Sequence, residues 1–552
     1  MKQVIKDIFS IVTAAEKREG WLLAIADAFI SLVDIFALVV LLYLVRFYTQ
    51  QVPILHHGWL SVFTSTQHPL LPILIFFLFF ALKNVAGFVV AKMQYRFVYK
   101  VASRLSGEMM KRFLDGSYEG YVAIDSSVTH RSISQQPVEF AQYVLNGVQQ
   151  VFSQSVLAVI TLAAVLLLNP VLFPLLLLIL VPPIVLVQWL LKRKLRNAGL
   201  EGKRTSEQTT QFLQEGLNGF IESNLFQKNS FFLHRYYQKQ VQLNRYLSNR
   251  LIIQNMPPRL MEVFAIFGFL SLVFVNEIKG QAHFIDLVTI GALLVAAYKI
   301  IPGVVKITNL SAQVKAYSFS AAALALATES RPEKRYSNES IETITCNDIV
   351  FGYSEKIILN RLGAGLQRND FAVLSADSGK GKTTFVHLLL GFLSRSGGSI
   401  LVNNKLADRN DLQRYWQRIA YVKQQAFFMH ASIAENICLQ EVGYDAAKLQ
   451  HAMDLSGLSA LINSFPAGIH TMVTENGKNF SGGQRQRIAF ARALYKDFDL
   501  LVLDEPFNEL DEEAEHCMLK ALQQIAASGK IVLLITHNPA AMEFGNKKIM
   551  LN

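Results

Sequence analysis

Residues 371–393 read FAVLSADSGKGKTTFVHLLLGFL. An apolar run, a glycine-containing turn, Gly-Lys-Thr and a second apolar run follow one another, the strand, turn, helix order in which a backbone wraps the phosphates of a nucleotide. Gly381 lets the backbone approach the anion closely, and successive amides there and at the helix start point at it. On this reading Ala376, Asp377, Ser378, Gly379, Lys380, Gly381, Lys382, Thr383 and Thr384 form the phosphate loop. Lys382 brings its ammonium to the β and γ phosphates, and the Thr383 hydroxyl faces Mg²⁺. The usual pattern has glycine where this chain has Ala376. If the backbone there needs φ > 0, the alanine costs about 1–2 kcal/mol.

Working outward, further elements recur in order around this loop. In NDIVFGYSEK, Tyr353 ends a strand and can stack on adenine. In RIAYVKQQAFF, Gln424 leaves a strand end and can join a Mg²⁺ and water shell. FSGGQRQRIAFARAL opens a basic helix with Ser481, Gly482, Gly483 and Gln484, a second anion-binding helix start. LLVLDEP ends a strand in Asp504 and Glu505, and IVLLITHN ends another in His537. Asp504 suits Mg²⁺, Glu505 can orient and deprotonate an attacking water, and His537 can reach a γ-phosphate. Each residue alone has an ordinary reading as a strand end. Their joint occurrence in this order does not.

Upstream of the linker the chain changes character. It has 552 residues, 51% apolar and only 17% charged, with a formal net charge of +11. That length implies two or more domains, and the apolar excess lies in runs of membrane-spanning length before residue 310. Six spans are expected at 21–47, 70–93, 152–168, 170–191, 259–276 and 283–306, the third and fourth joined by Asn169-Pro170. Basic residues gather after the second span (Arg96, Lys100, Arg104, Lys111, Arg112) and after the fourth (Lys192, Arg193, Lys194, Arg196). By the positive-inside rule both termini are cytoplasmic, and the net charge is accounted for without nucleic acid. Residues 1–20 carry an apolar stripe through Val4, Ile8 and Ile11, expected as an interfacial helix and not a cleaved signal. Cys346, Cys438 and Cys517 show no paired ligand spacing, so disulfide and zinc frameworks are not expected.

The connections 94–151 and 192–258 are long enough to run as helices into the cytosol and return. Their tips, SYEGYVAIDSS and LQEGLNGFIESNLFQ, are candidates for docking on a cytosolic domain. Within the spans, Asp34, Lys83 and Lys299 are expected to line a cavity, the lysines favouring an anionic substrate, whereas Arg259 and Glu262 have the spacing of an intrahelical pair. Residues 328–341, TESRPEKRYSNESI, form the linker, and 342–552 alternate strand-like and helical runs. The fold class is thus an all-α polytopic membrane domain (21–327) followed by an α/β P-loop cassette.

Over nearly its whole length the chain resembles a half-size ATP-binding cassette (ABC) exporter. FSGGQ resembles the family signature LSGGQ, with Phe480 for Leu, and Asp511 in EPFNELD matches the D-loop aspartate, preceded by Asn-Glu instead of Ser-Ala. Lys423 stands where the family usually has Pro, and Ala431 where it often has Gly. NMPPRLMEVFAIFG and the span layout look most like the lipid-linked oligosaccharide flippase group. The resemblance implies ATP with Mg²⁺ and a dimer, with itself or a related half-transporter. In it, Ser481–Gln484 of one chain complete the ATP site of the other, and the two tips act as coupling helices. It implies ATP-driven export or flipping of an amphipathic, anionic or lipid-linked substrate across a bacterial inner membrane. A peptide or drug exporter of the same fold, and a nucleotide-gated channel with little hydrolysis, are the alternatives.

Overall fold

The computed structural model describes residues 2–50, 70–168, 181–182, 185–186, 201–278, 287–328, 336–353, 356–377 and 379–551. They fall into two compact units, one of residues 1–115 and 124–330, the other of residues 116–123 and 331–552.

The first unit is helical, as its uninterrupted apolar runs dictate. Long helices run Ala14–Gln50, Leu71–Leu114, Asn146–Leu168, Asn229–Ile278 and Leu287–Ala316. Five of the six stretches expected as spans lie on these helices. The fourth, with the Asn169-Pro170 turn, lies outside the described residues apart from short fragments. Among the described residues, Ala14–Ala37 and Leu71–Leu114 are long and apolar enough to cross a membrane. The 44 residues of Leu71–Leu114 span about 66 Å, twice a hydrocarbon core of roughly 30 Å, so the helix continues well past one.

A helical core forms where that helix turns amphipathic. Phe97, Val98, Val101 and Leu105 pack with Phe140, Ala141, Val144, Leu145, Val314 and Leu324. The returning arm reaches this core through two π-helical turns, Arg131–Gln135 and Phe140–Leu145, flanking a short turn that contains Pro137. A proline cannot donate to the helical ladder, which favours such local rewinding. Arg131 is buried between Glu139 at 2.9 Å and Glu207 at 3.4 Å. The N-terminal helix Lys2–Ile11 divides its stripe: Val4 and Ile11 join this core, while Ile5 and Phe9 are exposed.

Two ion pairs stand among the described residues of the expected spans. Lys83 bonds Asp34 on the neighbouring helix and is nearly inaccessible, so two of the residues expected to line a cavity are paired with each other. In an apolar surrounding, a lysine and an aspartate within reach satisfy each other first. Arg259 and Glu262 form the expected pair along one helix, at 3.6 Å. The Lys299 side chain lies outside what is described.

The second unit contains a five-stranded parallel sheet, a four-stranded antiparallel sheet and a small two-stranded ribbon. In chain order the strands are β1 (Thr343–Tyr353), β2 (Lys356–Gln367), β3 (Phe371–Ser375), β4 (Gly397–Val402), β5 (Lys405–Leu406) and β6 (Ile419–Val422). Then follow β7 (Ala431–Ser432), β8 (Met472–Val473), β9 (Leu500–Asp504), β10 (Ile531–Ile535) and β11 (Lys547–Met550). The parallel sheet has the order β11-β3-β10-β9-β6. Its central strands FAVLS, LLVLD and IVLLI are apolar throughout because both faces are covered.

The first tip belongs to this second unit. In the helix Tyr118–Ala123, the Tyr118 ring lies 4.7 Å from His387 and 5.4 Å from Phe392, which itself meets Trp416 at 5.2 Å. Glu119 bonds Arg409 at 2.9 Å beside this aromatic cluster. Burial lowers the His387 pKa, with the positive charge of Lys423 acting the same way.

The fold therefore holds His387 neutral. A pKa depressed by folding contributes stability that is complete above the unfolded value near 6.5 and lost as pH falls through the folded one. Wild type should exceed His387→Gln in cassette melting temperature at pH 7, with the gap shrinking towards pH 5.5. A gap that stays constant across that window contradicts the assignment.

Candidate nucleotide site

Register decides what meets. Leu374 on β3 pairs with Ile535 on β10, and Ile535 pairs with Asp504 on β9. Val422 on β6 pairs with Leu503 on β9. The segments beginning at Ala376, Lys423, Glu505 and Thr536 therefore all leave the sheet at its carboxyl edge, where open α/β sheets bind ligands.

The phosphate loop turns on glycine. Gly379 and Gly381 have φ of 80° and 91°, and a Cβ on Gly381 would lie 2.6 Å from Ile358 Cγ2. Ala376 is not among the described non-glycine residues with positive φ, so the backbone cost expected there is not incurred. It packs against the cassette core, and its carbonyl accepts from Lys382 Nζ at 3.3 Å. Asp377, Lys380 and Thr383 are exposed, Gly379 with them, and Thr384 is half-buried. Ser378 lies outside the described residues.

Two carboxylates of unlike character stand opposite this loop. Asp504 is 3% exposed and accepts from Thr383 Oγ1 at 3.2 Å and Tyr421 Oη at 3.4 Å. Burial pushes its carboxyl above the usual aspartate range, and the neighbouring Glu505 charge adds to this. Glu505 forms an ion pair with Lys382 at 2.8 Å and accepts from Gln424 at 2.8 Å and Asn508 at 3.1 Å. The Lys382 bond holds the Glu505 carboxyl below the usual glutamate range, with Asn508 and His537 acting in the same direction. His537 Nδ1 lies 3.9 Å from Glu505. Glu505 itself has φ of 49°, a left-handed conformation uncommon for a side-chain-bearing residue and frequent where function sets the backbone.

Mg²⁺ fits this donor set. Thr383 Oγ1, Asp504 and Gln424 offer hard oxygens, and a magnesium ion needs few protein ligands when phosphates and waters supply the rest. Tyr353 ends β1 with its ring edge on Phe351 at 5.0 Å and is 53% exposed, accessible for stacking.

The signature residues gather elsewhere. Ser481 caps the helix Gly482–Tyr495, accepting from the Gln484 amide while the Gln484 side chain returns the bond. Gly482 and Gly483 lie against Glu509, not against the phosphate loop. Asp511 caps the helix Glu512–Ala527 through the Ala514 amide at 2.8 Å. Within one chain, then, Lys382, Thr383, Gln424, Asp504, Glu505 and His537 converge, and Ser481–Gln484 do not join them.

Sequence reading did not single out Tyr421, Asn436 or Arg492, and noted Asn508 only as a departure from a pattern. Arg492, in the signature helix, donates to Asn436 O at 2.6 Å and Phe427 O at 2.8 Å. Asn436 is fully buried, with its amide on the Met429, Ala431 and Ser432 carbonyls. Together they fasten the segment after Gln424 to the signature helix. No local motif marks such contacts, although a charge within the apolar stretch IAFARAL is a signal that could have pointed to Arg492.

The family model for "ABC transporter" matches residues 359–508. An ATP-dependent lipid A-core flippase of Burkholderia orbicola is 34% identical over 201 residues, covering 36% of this chain and 34% of that protein. The namesake of Vibrio parahaemolyticus is 29% identical over 296 residues, covering 52% of this chain and 50% of that one. The matched stretch thus spans a third to a half of these relatives. A bacterial Atm1-family ABC exporter with ATP bound superposes with a TM-score of 0.78 at 18% identity, covering 98% of this chain and 94% of that one. Residues 359–508 thus match the ABC transporter family model, and over nearly its whole length the chain has the fold of that bacterial ABC exporter.

Proposed function

We propose that the chain is one half of a dimeric, ATP-driven membrane exporter that hydrolyses ATP at two composite sites and moves an amphipathic, lipid-linked substrate. The observation that carries this is the Lys382–Glu505 pair, flanked by Gln424 and Asn508 and set beside Thr383 and Asp504.

In the resting chain Lys382 and Glu505 neutralise each other. Arriving phosphates take over the Lys382 ammonium, and Glu505 is released as a free carboxylate. Gln424 and Asn508, amide donors on its Oε2, then orient it towards the attacking water, whose proton it accepts. Thr383, Asp504 and Gln424 would hold Mg²⁺, which when bound would neutralise charge that builds on the phosphates. His537 stands ready to donate to the γ-phosphate.

A second copy is needed because Ser481–Gln484 lie away from their own phosphate loop. The second tip supports the same reading. In the helix Phe220–Leu225, Phe220, Ile221 and Leu225 are each at least 70% exposed, and Phe226 follows at 66%. Such a patch on a water-side tip calls for a partner. A groove on the cassette lined by Phe392, Trp416, Tyr421 and Leu439, of about 710 Å³, suits it in the other copy. Nucleotide closure of the two cassettes would then move the tips and open the membrane path to the other side. The lipid-linked substrate rests on the names of the flippase relatives and on the flippase-like span layout. Both termini would lie on the cytoplasmic side of a bacterial inner membrane.

The purified protein reconstituted in lipid should hydrolyse ATP, and Glu505→Gln should lower turnover about 100-fold or more, the scale of a lost general base. Wild type with no turnover, or a variant equal to wild type, would refute hydrolysis. Lipid A-like glycolipids should raise the rate more than peptides or drugs do; stimulation confined to peptides would replace the substrate class. Gly381→Ala should abolish nucleotide binding, because the added methyl meets Ile358 and the backbone is left-handed. Retained binding would show that the loop can rearrange.

A further inference from the structure

The loop after Glu505 reads PFNELD, and its glutamate is placed unusually. The carboxylate of Glu509 fills the space that a Cβ on Gly482 would need, and its carbonyl lies 2.9 Å from where a Cβ on Gly483 would sit. Arg485 Nη2 holds that carboxylate at 3.3 Å, while Arg485 Nη1 donates to Phe480 O at 3.1 Å. The guanidinium thereby closes a loop around the start of the helix Gly482–Tyr495. This helix has 14 residues and no acid in its own first turn. Its positive end is therefore met by a negative charge from another loop.

That place has a further claimant. In the composite site proposed above, on which this inference rests, the helix start faces the phosphates of a nucleotide bound to the second copy. Two anions cannot share one helix end. We infer that Glu509 is the resting occupant of the signature half of the nucleotide site, a built-in competitor that the nucleotide on the partner cassette must displace. The adjacent residue extends the consequence: Asn508 donates to Glu505, so the backbone that carries Glu509 away also carries a ligand of the catalytic glutamate. Arrival of the partner's nucleotide and reorientation of Glu505 are thereby linked through two consecutive residues. Glu509 is half-exposed, so the competition is modest and tunes affinity without forbidding closure.

The test is the ATP dependence of turnover for the reconstituted full chain, comparing wild type with Glu509→Gln and Glu509→Ala. Both variants should show a KM for ATP about two- to five-fold lower, the scale of one carboxylate at a helix end. A role confined to holding the signature helix in place would instead lower kcat or melting temperature and leave KM unchanged or raised. That result in both variants overturns the inference while leaving the exporter reading intact. If wild type itself shows no turnover, the exporter reading fails separately. The competition is then read by half-saturation of a fluorescent ATP analogue on Glu505→Gln chains, with and without Glu509→Gln. A lower half-saturation with the second substitution supports the inference, and an equal one overturns it.

Discussion

The parallel register of β3, β10 and β9 is the constraint on which the cassette depends. Leu374, Ile535 and Asp504 share one row across the sheet. Because the strands are buried on both faces, slipping one by a single residue would exchange its two faces within the core. The register therefore cannot drift, and neither can the residues just beyond it. Ala376, Glu505 and Thr536 inherit their positions from packing that has nothing to do with nucleotides.

Charge compensation then sets the resting state. Lys382 and Glu505 are mostly buried and neutralise each other, and Asp504 is kept in place by hydroxyls from Thr383 and Tyr421. A buried ion pair contributes little net stability, since desolvation offsets the attraction, but it leaves an arrangement that a stronger anion can rearrange. The same logic operates in the other unit. Asp34 and Lys83 satisfy each other between two helices, and Arg131 is held between Glu139 and Glu207. Ionisable groups in both units are spent on internal partners first.

The helical excursions connect these themes. Arg235 joins Glu215 at 2.8 Å and lies 4.2 Å from the Phe212 ring, bracing the two arms of the second excursion near its tip. The tip itself keeps its phenylalanines exposed, whereas the first tip packs a half-buried Tyr118 against His387 and Phe392. Two tips of similar composition thus have different fates, and the difference is one of partners.

Much of this was legible in the amino-acid sequence because it depends on local physics. Apolar runs specify the helices, the glycines at 379 and 381 specify a turn that only they adopt without strain, and strand ends in Asp504, Glu505 and His537 mark a carboxyl edge. Tertiary structure decided the rest. Ala376 read as costly only if its backbone needed positive φ, and it does not, because the positive φ values fall on Gly379 and Gly381. Asp34 and Lys83 each read as a cavity-lining candidate, and only the packing of their two helices pairs them. Glu509 read as a departure from a pattern, and only the fold of the D-loop sets its carboxylate on Gly482. Sequence spacing encodes what one segment does by itself; which charges meet across segments is settled by packing.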